Sequence, residues 1–404
     1  MFAGSWLLVP FLCAPVLAQH SVVLTDTASN VHVPDFSHSA SDLGFEGEWS
    51  VSRETLRGGR QEGVDKIVIH TDAVTIAVLP TRGMSIHEVR CGGTRVGWDS
   101  PSAEIVHPAL IDLESRGGLG WLEGFNEAMV RCGLEFAGHP GEDEFVDNTG
   151  NTARMTLSLH GRIGNLPATR VELVIDEAPP HRIRLRGTVF ERSFYGPKLR
   201  LDAEVSVVPG ESSWRVADKV TNVGAAPQEF QLIYHGNYGP PLLGEGSRLV
   251  VPARTIAPMN AKAEMVIDGF ETYRGPTVGF VEEVYLIEPY AAEDGTTMAL
   301  LVAPGGELAT SVRWRVEELP YFTQWKNTAA KADGYVTGME PGTGFPFNRK
   351  VERAHGRVPK LAPGESRSFT LDYDFYTGSQ VGLAEASVRS IQADRPTERS
   401  GVPD

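Results

Sequence analysis

The sequence predicts an all-β protein built as one large antiparallel β-sandwich with long loops and few short helices. Three observations point there. The 404 residues include 43 Gly and 27 Pro, which suit many short strands and turns better than helices. Apolar residues alternate at period two over repeated segments of strand length, as half-buried strands require. No amphipathic helical run is long enough to cover a parallel sheet, which argues against a doubly wound α/β fold. With 41% hydrophobic and 22% charged residues, the chain has the apolar material for a large core, and sandwiches of about 250 residues fold as one unit.

Residues 1–18 read as an export signal. Trp6 to Leu17 is apolar and contains Pro10 and Pro15, and Val16-Leu17-Ala18 satisfies the small-residue rule for cleavage, with the cut after Ala18. The stretch before Trp6 carries no Lys or Arg. The apolar run is too short to span a bilayer, so the mature protein is expected to be exported, periplasmic or extracellular, with no membrane attachment once the signal is gone. Residues 19–42 are polar and weakly periodic and are expected to form a linker or an irregular N-terminal segment.

The sandwich is expected over residues 43–376. Lys66–His70 and Val74–Leu79 form a hairpin turning near Thr71-Asp72, on β-branched content. A further strand runs to Arg90, with a turn at Gly92-Gly93. Residues 101–145 are the least regular stretch, with loops at Gly117–Trp121 and Gly138–Gly141 and a short helix near Trp121–Arg131. Strands resume at Arg154–His160, Ala168–Asp176, Arg182–Glu191, Leu199–Val208, Ser213–Asn222 and Glu229–Tyr234. They continue at Val278–Pro289, Thr297–Pro304, Leu308–Val316, Tyr335–Glu340 and Arg367–Phe375. Residues 377–404 form a C-terminal tail that opens with a surface helix.

A formal net charge of −15 repels nucleic acid and anionic lipid, so neither is an expected partner. Cleavage of the signal leaves Cys91 and Cys132, too few for a disulfide scaffold. They are either a pair or two small buried hydrophobes. Neither CxxC nor HExxH occurs, so no metal is expected.

Three segments carry candidate chemistry: Leu159-His160-Gly161-Arg162, Tyr234-His235-Gly236-Asn237 and Gly338-Met339-Glu340-Pro341-Gly342. They offer one carboxylate and two imidazoles, each beside glycine or proline at an expected strand end. That is equipment for moving protons on and off a sugar. Glu340 reads as a general base or as a turn carboxylate. His235, between an apolar strand and a Gly/Pro-rich loop, reads as a group titrating near neutrality or as a packed structural imidazole. His160 has the same setting. Arg162 reads as a donor to hydroxyls or a rim salt bridge, and Asn237 as a substrate ligand beside His235. Arg82, in Thr81-Arg82-Gly83, is a further candidate. Gln324, Trp325 and Lys326 could supply a flat ring and donors to a sugar, although a lone Trp usually packs in a core. His139 is a candidate for the rim.

The motifs Thr81-Arg82-Gly83-Met84, Cys132-Gly133-Leu134, Leu159-His160-Gly161-Arg162, Tyr234-His235-Gly236-Asn237 and Gly338-Met339-Glu340-Pro341 occur in an order that resembles the galactose mutarotase-like (aldose 1-epimerase) superfamily. Within it they resemble a bacterial branch known as domain of unknown function 4432. The resemblance spans residues 43 to 376 and implies a single β-supersandwich with a sugar cleft on one sheet. It implies that Glu340 removes the anomeric proton, that His235 protonates the ring oxygen, and that His160 steadies substrate oxygens. Arg82 matches the cleft arginine. The Cys132–Pro140 stretch departs from the usual epimerase loop, and no residue matches the family's acidic hydroxyl ligand.

Opening a sugar ring needs one base and one acid and no cofactor or metal. The expected partner is a small-molecule sugar or sugar derivative, and the oligomeric state stays open. The expected function is an exported carbohydrate-binding protein of aldose 1-epimerase type that interconverts anomers. The alternatives are a binding protein without turnover and, with no aromatic cluster evident in the sequence, a polysaccharide lyase or hydrolase.

Overall fold

The computed structural model describes residues 18–401, so the expected export signal lies outside the described residues except for Ala18. Apart from two small two-stranded sheets, two large sheets hold the described strands. The first has ten, in the order Arg248–Val250, Thr296–Val302, Leu308–Arg315, Ser366–Thr377, Ser213–Asn222, Lys198–Val207, Ile183–Arg192, Arg170–Asp176, Gln19–Asp26 and Val31–His32. The second has thirteen. Its middle runs Ala253–Pro258, Glu283–Pro289, Tyr321–Thr328, Tyr335–Gly342, Gln231–Tyr238, Met129–Leu134, Ser85–Cys91 and Val74–Leu79. Every ladder among the described strands is antiparallel except the short one joining Ala253–Pro258 to Glu398–Arg399.

The sheets face each other across one continuous apolar core. Leu173, Leu185, Leu201, Val216 and Leu371 come from the first sheet, and Ile69, Ile76, Ile86, Leu232 and Met339 from the second. The alternation expected over Ser213–Asn222 is present: Trp214, Val216 and Val220 are buried while Arg215 and Lys219 are exposed. The inward position between them is Asp218, a carboxylate inside the core. It accepts hydrogen bonds from Arg131 Nη2 and Tyr234 Oη, both at 2.9 Å, which reach it from the opposite sheet. A buried charge is tolerated only when paired and hydrogen-bonded, and this one ties the two layers together beneath His235.

Several expectations are corrected. Residues 19–42 are not a linker: Gln19–Asp26 pairs with Arg170–Asp176, and Phe36–Ser39 with Trp49–Thr55. The sheets therefore extend beyond residues 43–376, and at the other end Glu398–Arg399 also joins one. The C-terminal helix Ser379–Gln392 docks Val381, Ala384, Val388 and Ile391 on Met298, Leu300 and Val302, the i, i+3, i+7 spacing of a one-faced helix. No helix covers 121–131. Gly120–Gly124 is a 3₁₀ turn and Met129–Leu134 a strand. Cys91 and Cys132 are both buried and both free thiols.

Candidate active site

Three neighbouring strands of the second sheet build the site. Tyr321–Thr328 pairs with Tyr335–Gly342, placing Thr323 opposite Glu340 and Trp325 opposite Gly338. Tyr335–Gly342 pairs in turn with Gln231–Tyr238, where Ile233 meets Gly342 and Gly236 meets Met339. That register sets His235 across from Glu340. The ladder is interrupted there, where Pro341 has no N–H to give. Glu340 and His235 are thus within strands and not at their ends, where the sequence had suggested them.

Period two sorts the side chains. Thr323, Trp325, Asn327, Glu340 and His235 lie on the outer face and line a cleft of about 740 Å³. His235 Nε2 stands 3.3 Å from Glu340 Oε1. The angle is not that of a hydrogen bond, and both Glu340 Oε1 and His235 Nδ1 are buried without a protein partner. Buried polar atoms are rarely left so, and here both belong to residues lining a cleft.

His160 arrives from a turn. The strand before it ends at Leu157, and His160 takes a left-handed φ of 58°, unusual for a residue with a side chain. Its N–H donates to Gly138 O at 2.9 Å and its carbonyl accepts from Gly133 N at 3.0 Å. Nδ1 lies 3.1 Å from Ala137 O. A carbonyl only accepts, so Nδ1 carries the hydrogen and Nε2 is left as an acceptor when the ring is neutral.

The wall is aromatic. Trp121 lies edge-on to His160 at 4.7 Å, Phe125 edge-on to His235 at 5.3 Å, and Trp325 edge-on to His235 at 5.5 Å. Trp98 follows Phe125 at 4.9 Å. The aromatic cluster not evident in the sequence therefore exists in space, drawn from distant segments. Trp325 is held by its Nε1, which donates to Glu282 Oε2 at 2.9 Å.

These surroundings set the protonation of the pair. Burial pushes the Glu340 carboxyl well above the usual carboxylate value, and the Glu282 carboxylate adds to the rise. Burial drives the His235 imidazole well below its usual value, helped by His160 and opposed by the Asn237 side chain. Burial also lowers His160, to about 4, against the Ala137 carbonyl. The two shifts run in opposite directions, and both favour the uncharged forms, carboxylic acid and neutral imidazole, over the ion pair.

Of the nine residues expected to act on or bind substrate, Glu340, His235, His160 and Trp325 line this cleft, and five do not. Arg82 is 1% exposed and donates to Glu127 Oε1, Val106 O and Gly124 O at 2.8–3.0 Å. It holds the loop that carries Trp121 and Phe125. Arg162 stands outside the cleft near the buried Glu191, whose carboxyl burial raises to about 7. Asn237 shares the His235 face but is covered, its amide bonded to Glu127 O and His235 O. Gln324 and Lys326 fall on the opposite face by alternation. Gln324 donates to Phe270 O at 2.9 Å and Lys326 to Thr272 O at 2.9 Å.

His139 lines the cleft, as expected of a rim residue, and so do Trp98, Trp121, Phe125, Glu282 and Asp333, which the sequence did not single out. For Trp121 and Phe125 the one signal was position in the irregular stretch 101–145, whereas Glu282 fell inside the expected strand Val278–Pro289. Among the described residues no group of three His, Cys, Asp or Glu side chains could hold a metal ion.

Comparison with known proteins agrees with this architecture. Residues 61–375 match the family model described as domain of unknown function DUF4432. The chain is 38% identical to a candidate aldose 1-epimerase from Klebsiella pneumoniae subsp. pneumoniae, over 96% of this chain and 99% of that one, with a TM-score of 0.90. A galactose mutarotase-like protein from Clostridium acetobutylicum shares the fold at 12% identity and TM-score 0.54, over 81% and 98% of the two chains. A candidate aldose 1-epimerase from Escherichia coli K12 shares it at 15% identity and TM-score 0.53, over 78% and 100%. No curated protein matches the sequence. By the extent of the family match the chain belongs to the DUF4432 family, and it shares its fold with the galactose mutarotase-like structure.

Proposed function

We propose that the protein interconverts the anomers of a free aldose by acid/base opening and closing of the ring. The observation that carries this reading is the buried pair of Glu340 Oε1 and His235 Nε2, 3.3 Å apart across adjacent strands at the wall of the cleft. The anomeric hydroxyl and the ring oxygen of a hemiacetal sit on one carbon, so a base and an acid this close reach both at once. Glu340 as carboxylate takes the hydroxyl proton while His235 as imidazolium protonates the ring oxygen, and the C1–O bond to the ring opens. Rotation about C1–C2 presents the other face of the aldehyde. Closure returns each proton to its donor, so the pair ends as it began.

A resting pair with the proton on Glu340 reaches the active arrangement by moving that proton to His235. His160, neutral with Nε2 as acceptor, takes a sugar hydroxyl. Trp325, fixed by Glu282, offers an aromatic surface to the C–H face of a bound sugar.

The test is anomer exchange by saturation-transfer NMR over a panel of aldoses. Wild type accelerates exchange, and Glu340→Gln and His235→Asn each lower it by about 10²–10⁴-fold, the usual share of a general acid or base. Exchange unaffected by both substitutions rejects the assignment. The acid limb of the rate profile is also informative. Because burial depresses His235, that limb falls below the ordinary histidine value of 6.5; a limb at or above it contradicts the arrangement.

Export belongs to the same proposal. Its support is the apolar run ending in Val16-Leu17-Ala18. N-terminal sequencing of the secreted protein tests it, with a first residue of Gln19 expected.

A further inference from the structure

We propose that the substrate is a reducing disaccharide, its reducing ring at Glu340 and His235 and its second ring over Trp325 against Asn327 and Asp333. The proposal rests on the anomer-exchange reading above and extends it to substrate class.

The first support is length. Thr323, Trp325 and Asn327 line the cleft in sequence along one strand, and Thr323 is the residue paired with Glu340. From Thr323 to Asn327 is 327 − 323 = 4 residues, or about 14 Å at about 3.4 Å each. A single pyranose with its hydroxyls, built from bonds of about 1.5 Å, is about 6–7 Å across. One ring at Glu340 therefore ends near Trp325, and a second ring fills the remainder.

The second support is volume. A monosaccharide displaces about as much space as six waters, ~180 Å³, against a cleft of about 740 Å³.

The third support is the chemistry of the far end. Asn327 Nδ2 donates to Gly334 O at 3.0 Å across the hairpin, which fixes the side chain and leaves its oxygen unengaged. The Asp333 carboxylate is exposed and makes no hydrogen bond or ion pair among the described residues. Gly334 has a φ of 90°, and a Cβ there would crowd Pro101 Cδ at 3.2 Å and Trp98 Cζ3 at 3.4 Å. A flat aromatic floor, an amide oxygen and a free carboxylate are what a polyhydroxylated ring with apolar C–H faces requires.

The experiment compares anomer exchange of lactose, cellobiose and maltose with that of galactose and glucose, for wild type, Asn327→Ala and Asp333→Ala. Calorimetric binding of the same sugars runs in parallel. At least one disaccharide is expected to exceed its reducing monosaccharide in kcat/KM by about tenfold, the worth of one hydrogen bond to a charged group. Asp333→Ala is expected to remove that ratio. Monosaccharides matching or exceeding every disaccharide, or variants that leave the ratio unchanged, overturn the subsite. If no sugar exchanges faster than in buffer, the anomer-exchange reading fails and calorimetry still decides the subsite. Tighter binding of a disaccharide, weakened in Asp333→Ala, upholds it, and equal affinities overturn it.

Discussion

Replacing Gly338 by alanine adds a single methyl group to the outer face of the Glu340 strand. Gly338 has no left-handed φ, so alanine meets no backbone penalty and the effect is one of space. The new Cβ would lie against Glu340 Oε1, closer than carbon and oxygen approach by about 1 Å, with Glu340 Cδ and Trp325 Cβ each at 3.2 Å. The Trp325 backbone is held in the ladder by its pairing with Gly338, so the carboxylate must give way. A displacement of about 1 Å at a reacting group costs about 10²-fold in rate, or about 2.7 kcal/mol of barrier. Overpacking itself costs about 1–3 kcal/mol of stability. Anomer exchange measured by NMR, with urea denaturation of the same samples, separates the two effects. The expected result is a folded protein about a hundredfold slower than wild type. The double variant Gly338→Ala/Glu340→Gln should be no slower than Glu340→Gln alone, since both act through one carboxylate. A folded Gly338→Ala protein with a rate within about twofold of wild type would refute the reasoning, because it would mean that the position of Glu340 is not what the glycine protects.

Three further outcomes follow from buried groups. The Glu340 carboxyl is raised in the folded protein above its ordinary value of 4.5, so above that pH the unfolded chain sheds a proton that the folded chain keeps. The stability it confers is complete below pH 4.5 and lost as pH rises toward the folded value, by about 1.4 kcal/mol per unit. Urea midpoints should therefore show Glu340→Gln gaining on wild type from pH 5 to pH 7, and a gap independent of pH contradicts the burial argument. Asp218→Ala strands the Arg131 guanidinium between the sheets and is expected to cost about 3–5 kcal/mol; a loss under about 1 kcal/mol would show that the pair is not desolvated. Burial pushes the Cys91 thiol up to about 12 and Cys132 well above its usual value. Neither should react with a thiol reagent at pH 8 until the chain unfolds, and labelling at the rate of a free thiol in the native protein contradicts this.

How much of the molecule was legible in the sequence depends on which faces of a strand are covered. Ser213–Asn222 could be bounded correctly because one face is wet, and its Arg215 and Lys219 mark the alternation. Met129–Leu134 is buried at all six positions, so no alternation remains to be read, and a buried Arg131 disguises it as a polar stretch. Tyr321–Thr328 hides for a related reason: its inward Gln324 and Lys326 are polar residues bonded to backbone carbonyls, which composition alone reads as surface. The same limit governs the site. Glu340, His235 and His160 stood out because glycine and proline surround them, yet the flanks of Glu340 and His235 were misread as strand ends. Pro341 interrupts one ladder without ending the strand, and Gly338 is bare to make room for Glu340, not for a ligand. Arg82 looked like a substrate ligand because its partner, Glu127, lies 45 residues away. What a linear pattern omits is register. Once Ile233 is set on Gly342, His235 must face Glu340 and Gln324 must face away, and the choice between ligand and core residue is made for every side chain on the strand at once.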